Sequence, residues 1–97
     1  MTDQGQDPLV QSLREAISAC DRELLAAFNR RLELVCELHR HKVAQGYALT
    51  DLGREETLLA ALEAANGGPL SAEGVRELFA GLIALGKRET ARINAAD

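Results

Sequence analysis

The sequence predicts an all-α fold of three helices per chain, one long and two shorter, in an intertwined helical homodimer. Three observations carry that prediction. Leu and Ala occur 16 times each, whereas Val, Ile and Thr together number 11. Good helix formers in such excess over β-branched residues argue for helix and against sheet. After Pro8 neither Gly nor Pro occurs until Gly46, so nothing in that stretch interrupts a helix. Within it, apolar residues recur at helical steps of three, four and seven.

The first element starts at Asp7-Pro8, an N-cap followed by proline at the first helical position. Gly46 is its stop. The helix therefore covers about residues 8 to 45. Its inner stripe runs Leu13, Ile17, Leu24, Phe28, Val35 and Leu38, widened by Leu9, Leu25 and Leu32. Tyr47 to Thr50 make a short connection. Asp51, with Thr50 as rival, caps a second helix that turns Leu58, Leu59 and Leu62 inward. Asn66-Gly67-Gly68-Pro69 ends it. Ser71 caps the third, with Leu70 and Val75 at the spacing of a hydrophobic staple. Leu78, Phe79, Leu82, Ile83 and Leu85 follow, and the helix reaches about Ile93.

Length decides the assembly. A helix of that extent is about 57 Å long, whereas a compact globule of this chain length has a radius of gyration of about 12.5 Å. The long helix must overhang its two partners, and its apolar stripe continues along the overhang. A second chain is expected to cover it; fraying of one end is the alternative.

Residues 1–97 read as a single domain of ordinary globular composition, 46% hydrophobic and 27% charged. Three aromatics and a net charge of −4 make a poor nucleic-acid binder and give no attraction to an anionic membrane. No apolar run approaches bilayer length and the N-terminus is polar, so no signal peptide or spanning segment is expected and the cytoplasm is the default location. Cys20 and Cys36 lie about 24 Å apart along one helix, too far for a disulfide. Both are expected as reduced, half-buried thiols.

The inner stripe of the first helix contains two cations where the period calls for apolar residues. Arg31 and Lys42 are three turns apart, point within about 20° of each other and sit about 16 Å apart. Two long side chains at that separation can converge on one small ligand. Unpaired cations in an interior are costly, so carboxylates or a bound anion must neutralise them, unless they snorkel past the end of the bundle. Arg54 lies in the first turn of the second helix, where the dipole disfavours a cation, and Asp51 and Glu55 flank it. Arg14 is about 25 Å from Arg31 along the axis and turned by about 100°. It can share a ligand with them only across an antiparallel dimer.

Other chemistry is weakly signalled. His39 and His41 do not face each other on a helix, Cys36 with His39 lacks further ligands, and no phosphate-binding or nucleophile motif occurs. No metal or cofactor is expected.

LREAISACDRELLAAFNRRLELVCELHRHK, then TDLGREETLL, then LFAGLIALGKRET together resemble the small all-helical chorismate mutases. The likeness covers about residues 10 to 92 and matches the spacing of Arg14, Arg31, Lys42, Asp51, Arg54 and Glu55. It implies a homodimer with two buried sites, each completed by an arginine of the other chain, and a reaction that converts chorismate to prephenate on the route to phenylalanine and tyrosine. Carried over, Arg31 and the partner's Arg14 hold the two substrate carboxylates. Lys42 binds a carboxylate and the ether oxygen. Glu55, with the backbone near Asp51, takes the ring hydroxyl, and Arg54 supports the anion site. Two positions depart from the family: Gly86 stands where Ser is usual, and Thr90 where a long Gln or Glu side chain reaches the ether oxygen. Those departures leave open three other functions. The chain could act on isochorismate, act on 4-amino-4-deoxychorismate, or be a weak mutase helped by another enzyme of the shikimate pathway.

Overall fold

A computed structural model describes residues 4–96. A 3-10 turn at Gln4–Gln6 precedes three helices: α1 (Pro8–Gln45), α2 (Leu52–Ala65) and α3 (Ala72–Ala95). The chain divides into two compact units, Met1–Glu33 and Leu34–Asp97. Helix α1 contributes its first part to one and its last part to the other.

Each helix end follows from its local sequence. The Asp7 carboxylate accepts from the backbone N–H of Leu9 at 2.9 Å and Val10 at 3.4 Å, which satisfies donors that the first turn of α1 leaves open. At the other end Gly46 adopts φ 73°, a conformation that costs glycine little. There the Tyr47 N–H donates to the Lys42 carbonyl at 2.9 Å and the Gly46 N–H to the Val43 carbonyl at 3.2 Å, the paired bonds of a Schellman stop. Asp51 rather than Thr50 caps α2, accepting from the Arg54 N–H at 2.9 Å. Asn66 closes it. The Asn66 amide donates to the Leu70 carbonyl at 2.6 Å and its amide oxygen accepts from the Gly68 N–H at 3.2 Å, so one side chain holds the turn. Ser71 caps α3 through the Gly74 N–H at 2.9 Å. Such caps contribute about 1 kcal/mol each.

The second unit is built on α2 packed against α3. Val75 and Cys36 are buried, and Leu58, Leu59, Leu62, Phe79, Leu82 and Ile83 are half-buried around them. Arg76 ties the two helices from outside. Its guanidinium donates twice to Glu56, at 2.8 and 3.2 Å, and once to Glu63. Those bonds, and to a lesser degree the charge of Arg76, hold the Glu56 carboxyl below its ordinary value.

In the first unit no described residue is buried. Leu9, Leu13, Ile17, Leu24 and Leu25, the stripe that periodicity turns inward, are each more than half exposed.

Three details add to these expectations. Helix α3 runs two residues beyond Ile93, to Ala95. Leu70 lies over Gly74, where a Cβ would meet its Cδ1 at 2.6 Å; the absence of a side chain at 74 gives Leu70 its seat. The two cysteines are not alike: both are free, but Cys20 is exposed and Cys36 buried, because they fall on different faces of α1. No described helix is long and apolar enough to cross a membrane.

Candidate active site

Where α1 ends and α3 passes, the second unit forms an open-sided cavity of about 270 Å³. Val35, Leu38, His39 and Lys42 of α1 line one side, Leu49 and Thr50 of the connection another, and Lys87, Thr90 and Ala91 of α3 the third. The size suits a small organic molecule. Its lining is mostly apolar; the polar residues in it are His39, Lys42, Thr50, Lys87 and Thr90, and no Asp or Glu is among them. A small anion is therefore the ligand that such a lining favours.

Lys42 is placed by the stop of α1. It occupies the last turn, where the dipole favours a cation, and its carbonyl is held by the Tyr47 N–H. Its side chain is half-buried and makes no ion pair among the described residues. That is the condition in which a cation gains most from an incoming anion, because water has been partly removed and no fixed carboxylate competes.

Thr90 is 4% exposed and Gly86, one turn before it, is also buried. The Cys36 thiol donates to the Thr90 hydroxyl oxygen at 3.8 Å, a long, weak bond between two buried groups. It leaves the Thr90 O–H free to donate in turn. A threonine reaches less far than the Gln or Glu of the family pattern, and its oxygen stands beside the Cys36 thiol.

Glu55 occupies the first turn of α2, where the helix dipole favours a carboxylate. It forms an ion pair with Lys87 across the α2–α3 packing, and so stands next to the cavity wall. The Asp51 carboxylate is used by its own cap. Arg54 supplies the backbone N–H to that cap, but its side chain is exposed and is not part of the lining. Arg14 and Arg31 belong to the first unit. There Arg31 is half-buried, and Arg14 donates to the Gln4 side-chain oxygen at 3.3 Å.

Of the residues selected from sequence, Lys42 and Thr90 thus line one cavity, Gly86 is buried a turn from Thr90, and Glu55 reaches the wall through Lys87. Lys87 is the residue that sequence reasoning missed. The signal was available: residues 87, 90 and 91 share a face of α3, so a lysine three positions before Thr90 faces the same space. Among the described residues no group of three or more His, Cys, Asp or Glu side chains could hold a metal ion.

The family model of chorismate mutase type II matches residues 13–90. Two solved structures are similar to this chain, both of chorismate mutase from Thermus thermophilus. Its form II has a TM-score of 0.82 at 34% identity, over 86% of this chain and 94% of that one. Its form I has a TM-score of 0.77 at 35% identity, over 79% of this chain and 96% of that one. No curated protein matches the sequence.

Proposed function

The chain belongs to the chorismate mutase type II family, and from that premise we propose how its own residues carry the reaction. It is an isomerase that rearranges chorismate to prephenate. In this step the ether C–O bond breaks as a C–C bond forms within one molecule. Nothing is transferred and no nucleophile is required. The protein must hold the compact conformer in which the bond-forming carbons meet, and stabilise the negative charge that grows on the ether oxygen.

The observation that carries the assignment of roles is Lys42: a half-buried cation without an ion pair among the described residues, lining a cavity in whose lining no Asp or Glu occurs. Its ammonium meets the ether oxygen and a substrate carboxylate. Arg31 and the partner's Arg14 hold the two carboxylates. Glu55, with the backbone near Asp51, accepts the ring hydroxyl. Arg54 supports the anion site from its rim. Thr90 donates near the ether oxygen, and Gly86 leaves room beside it. The exposed stripe of Leu9, Leu13, Ile17, Leu24 and Leu25 supports a homodimer, in which a second copy covers that stripe and contributes its arginine. Residues 1–97 act as one domain, in the cytoplasm, on the route to phenylalanine and tyrosine.

A second reading is favoured by Thr90. Where the family's long donor is replaced by a buried threonine, turnover by the isolated chain is expected to be low, and another enzyme of the pathway would raise it by contact.

The test is to incubate the purified protein separately with chorismate and with isochorismate and identify the products. Prephenate from chorismate alone is the expected result. Salicylate and pyruvate from isochorismate would overturn the reading.

A further inference from the structure

We propose that Lys87 determines which ring substituent the substrate carries, by holding Glu55 in an ion pair that accepts a neutral hydroxyl and rejects an ammonium. The proposal rests on the assignment of Glu55 to the ring substituent given above.

A lone carboxylate facing the ring would be the wrong device for selecting a hydroxyl. It would accept a hydrogen bond from a hydroxyl, but it would bind a protonated amine more strongly, because a charge-assisted bond exceeds one to a neutral donor. Selection needs a second charge, and Lys87 supplies it. Its ammonium contacts Glu55 Oε1, and Lys87 is also one of the residues that line the cavity. The pair is neutral as a whole, yet Glu55 retains acceptor capacity on its second oxygen. A ring hydroxyl can use that capacity. A ring ammonium must instead approach the Lys87 ammonium and compete with it for the same carboxylate. Lys42 adds a second positive charge to the same lining, so the only carboxylate a cationic substituent meets on this reading is that of Glu55, already paired with Lys87. Specificity of this kind comes from a repulsive element, as well as from the attractive one.

The size of the effect follows from exposure. The Lys87 side chain is 51% exposed and that of Glu55 28%, so solvent screens the repulsion and a discrimination of about tenfold is expected, rather than the much larger factor of a dry site.

The experiment measures kcat/KM of the full chain in competition between chorismate and 4-amino-4-deoxychorismate, whose aliphatic amine is protonated at neutral pH. Where the amine is not turned over, its inhibition constant against chorismate is used. Lys87→Met should shift the preference toward the amine by about tenfold. Lys87→Arg, which keeps the charge, should retain the native preference. In the unsubstituted protein, raising salt from about 0.05 to about 0.5 M should narrow the preference, a readout that needs no variant to fold. An unchanged preference in Lys87→Met, or a preference insensitive to salt, overturns the proposal. Glu55→Gln separates the two assignments. If it leaves kcat/KM for chorismate intact, the role of Glu55 falls and the proposal with it. If it lowers kcat/KM while Lys87→Met changes no preference, Glu55 stands and only the role of Lys87 is wrong.

Discussion

In the second unit, Leu34–Asp97, Val75, Cys36, Gly86 and Thr90 are buried, and Arg76 binds α2 to α3 through two carboxylates. In the first unit, Met1–Glu33, no described residue is buried; Leu9, Leu13, Ile17, Leu24 and Leu25 stand more than half exposed there, as Leu34, Leu38, Val43 and Leu52 do in the second unit. Both were written by the same rules of capping and periodicity. The difference is that one has helices of its own chain to pack against and the other has a single helix. A helix stripe identifies a face that needs cover; it does not say which chain provides the cover. The division also separates the cations. Lys42 and Lys87 line a cavity inside one unit, while Arg14 and Arg31 lie in the other. On the proposed reading, Arg31 reaches the ligand along the same helix as Lys42, and Arg14 reaches it from the first unit of a second copy.

The largest effect is expected where the exposed stripe is charged. Leu24→Asp should abolish dimerisation, and with it activity, since a desolvated carboxylate in an apolar interface is costly. Sedimentation at micromolar concentration should change from about twice 10.5 kDa to a single chain or an unfolded one. A dimer of undiminished affinity would mean that the stripe is not the interface.

Inside the second unit, Lys42→Ala should lower kcat by about 10² to 10³, the range for removal of one preorganised donor. KM should change less if the contact strengthens in the transition state. A large KM effect at constant kcat would make Lys42 a binding residue only.

The same unit should be sensitive where it is densely packed. Val75→Ala at a 3% exposed position should cost about 1–3 kcal/mol, combining lost burial with a residual cavity. Leu13→Ala in the other unit should cost little in the folding of a separated chain, and should weaken the dimer instead. Denaturant titration at two protein concentrations distinguishes the two effects.

The smallest effect concerns acid. The Arg76 bonds hold the Glu56 carboxyl below its ordinary value of 4.5, so the folded chain binds fewer protons there than the unfolded one. This contribution is complete above that ordinary value, and is lost as pH falls through the lowered one. Arg76→Met should therefore lower Tm by a few degrees at most at neutral pH, with a difference that shrinks on acidification. A difference that grows toward low pH would contradict the pairing.

Most of the fold was legible because its signals are local. Asp7, Gly46, Asp51, Asn66 and Ser71 terminate helices by bonds that reach only two to five residues. The candidate site was legible in part. Lys42 and Thr90 could be selected by stripe and family spacing, and they meet at one cavity. Lys87 escaped because a lysine on an amphipathic helix is ordinarily solvated. Only the packing of α2 on α3 brings Glu55 to it. The Cys36–Thr90 contact escaped for a similar reason. It joins residues 54 positions apart, and no periodicity predicts which faces of two helices meet.

The central claim is that one active site takes residues from the first unit of one copy and the second unit of another. Arg14→Ala and Lys42→Ala chains, each inactive alone, should be unfolded together and refolded as a mixture. With random pairing, about half the dimers are mixed. Each mixed dimer has one site with both residues intact, so about a quarter of the unsubstituted activity should return. A mixture that gains nothing over the separate variants, although mixed dimers form, would contradict the shared site.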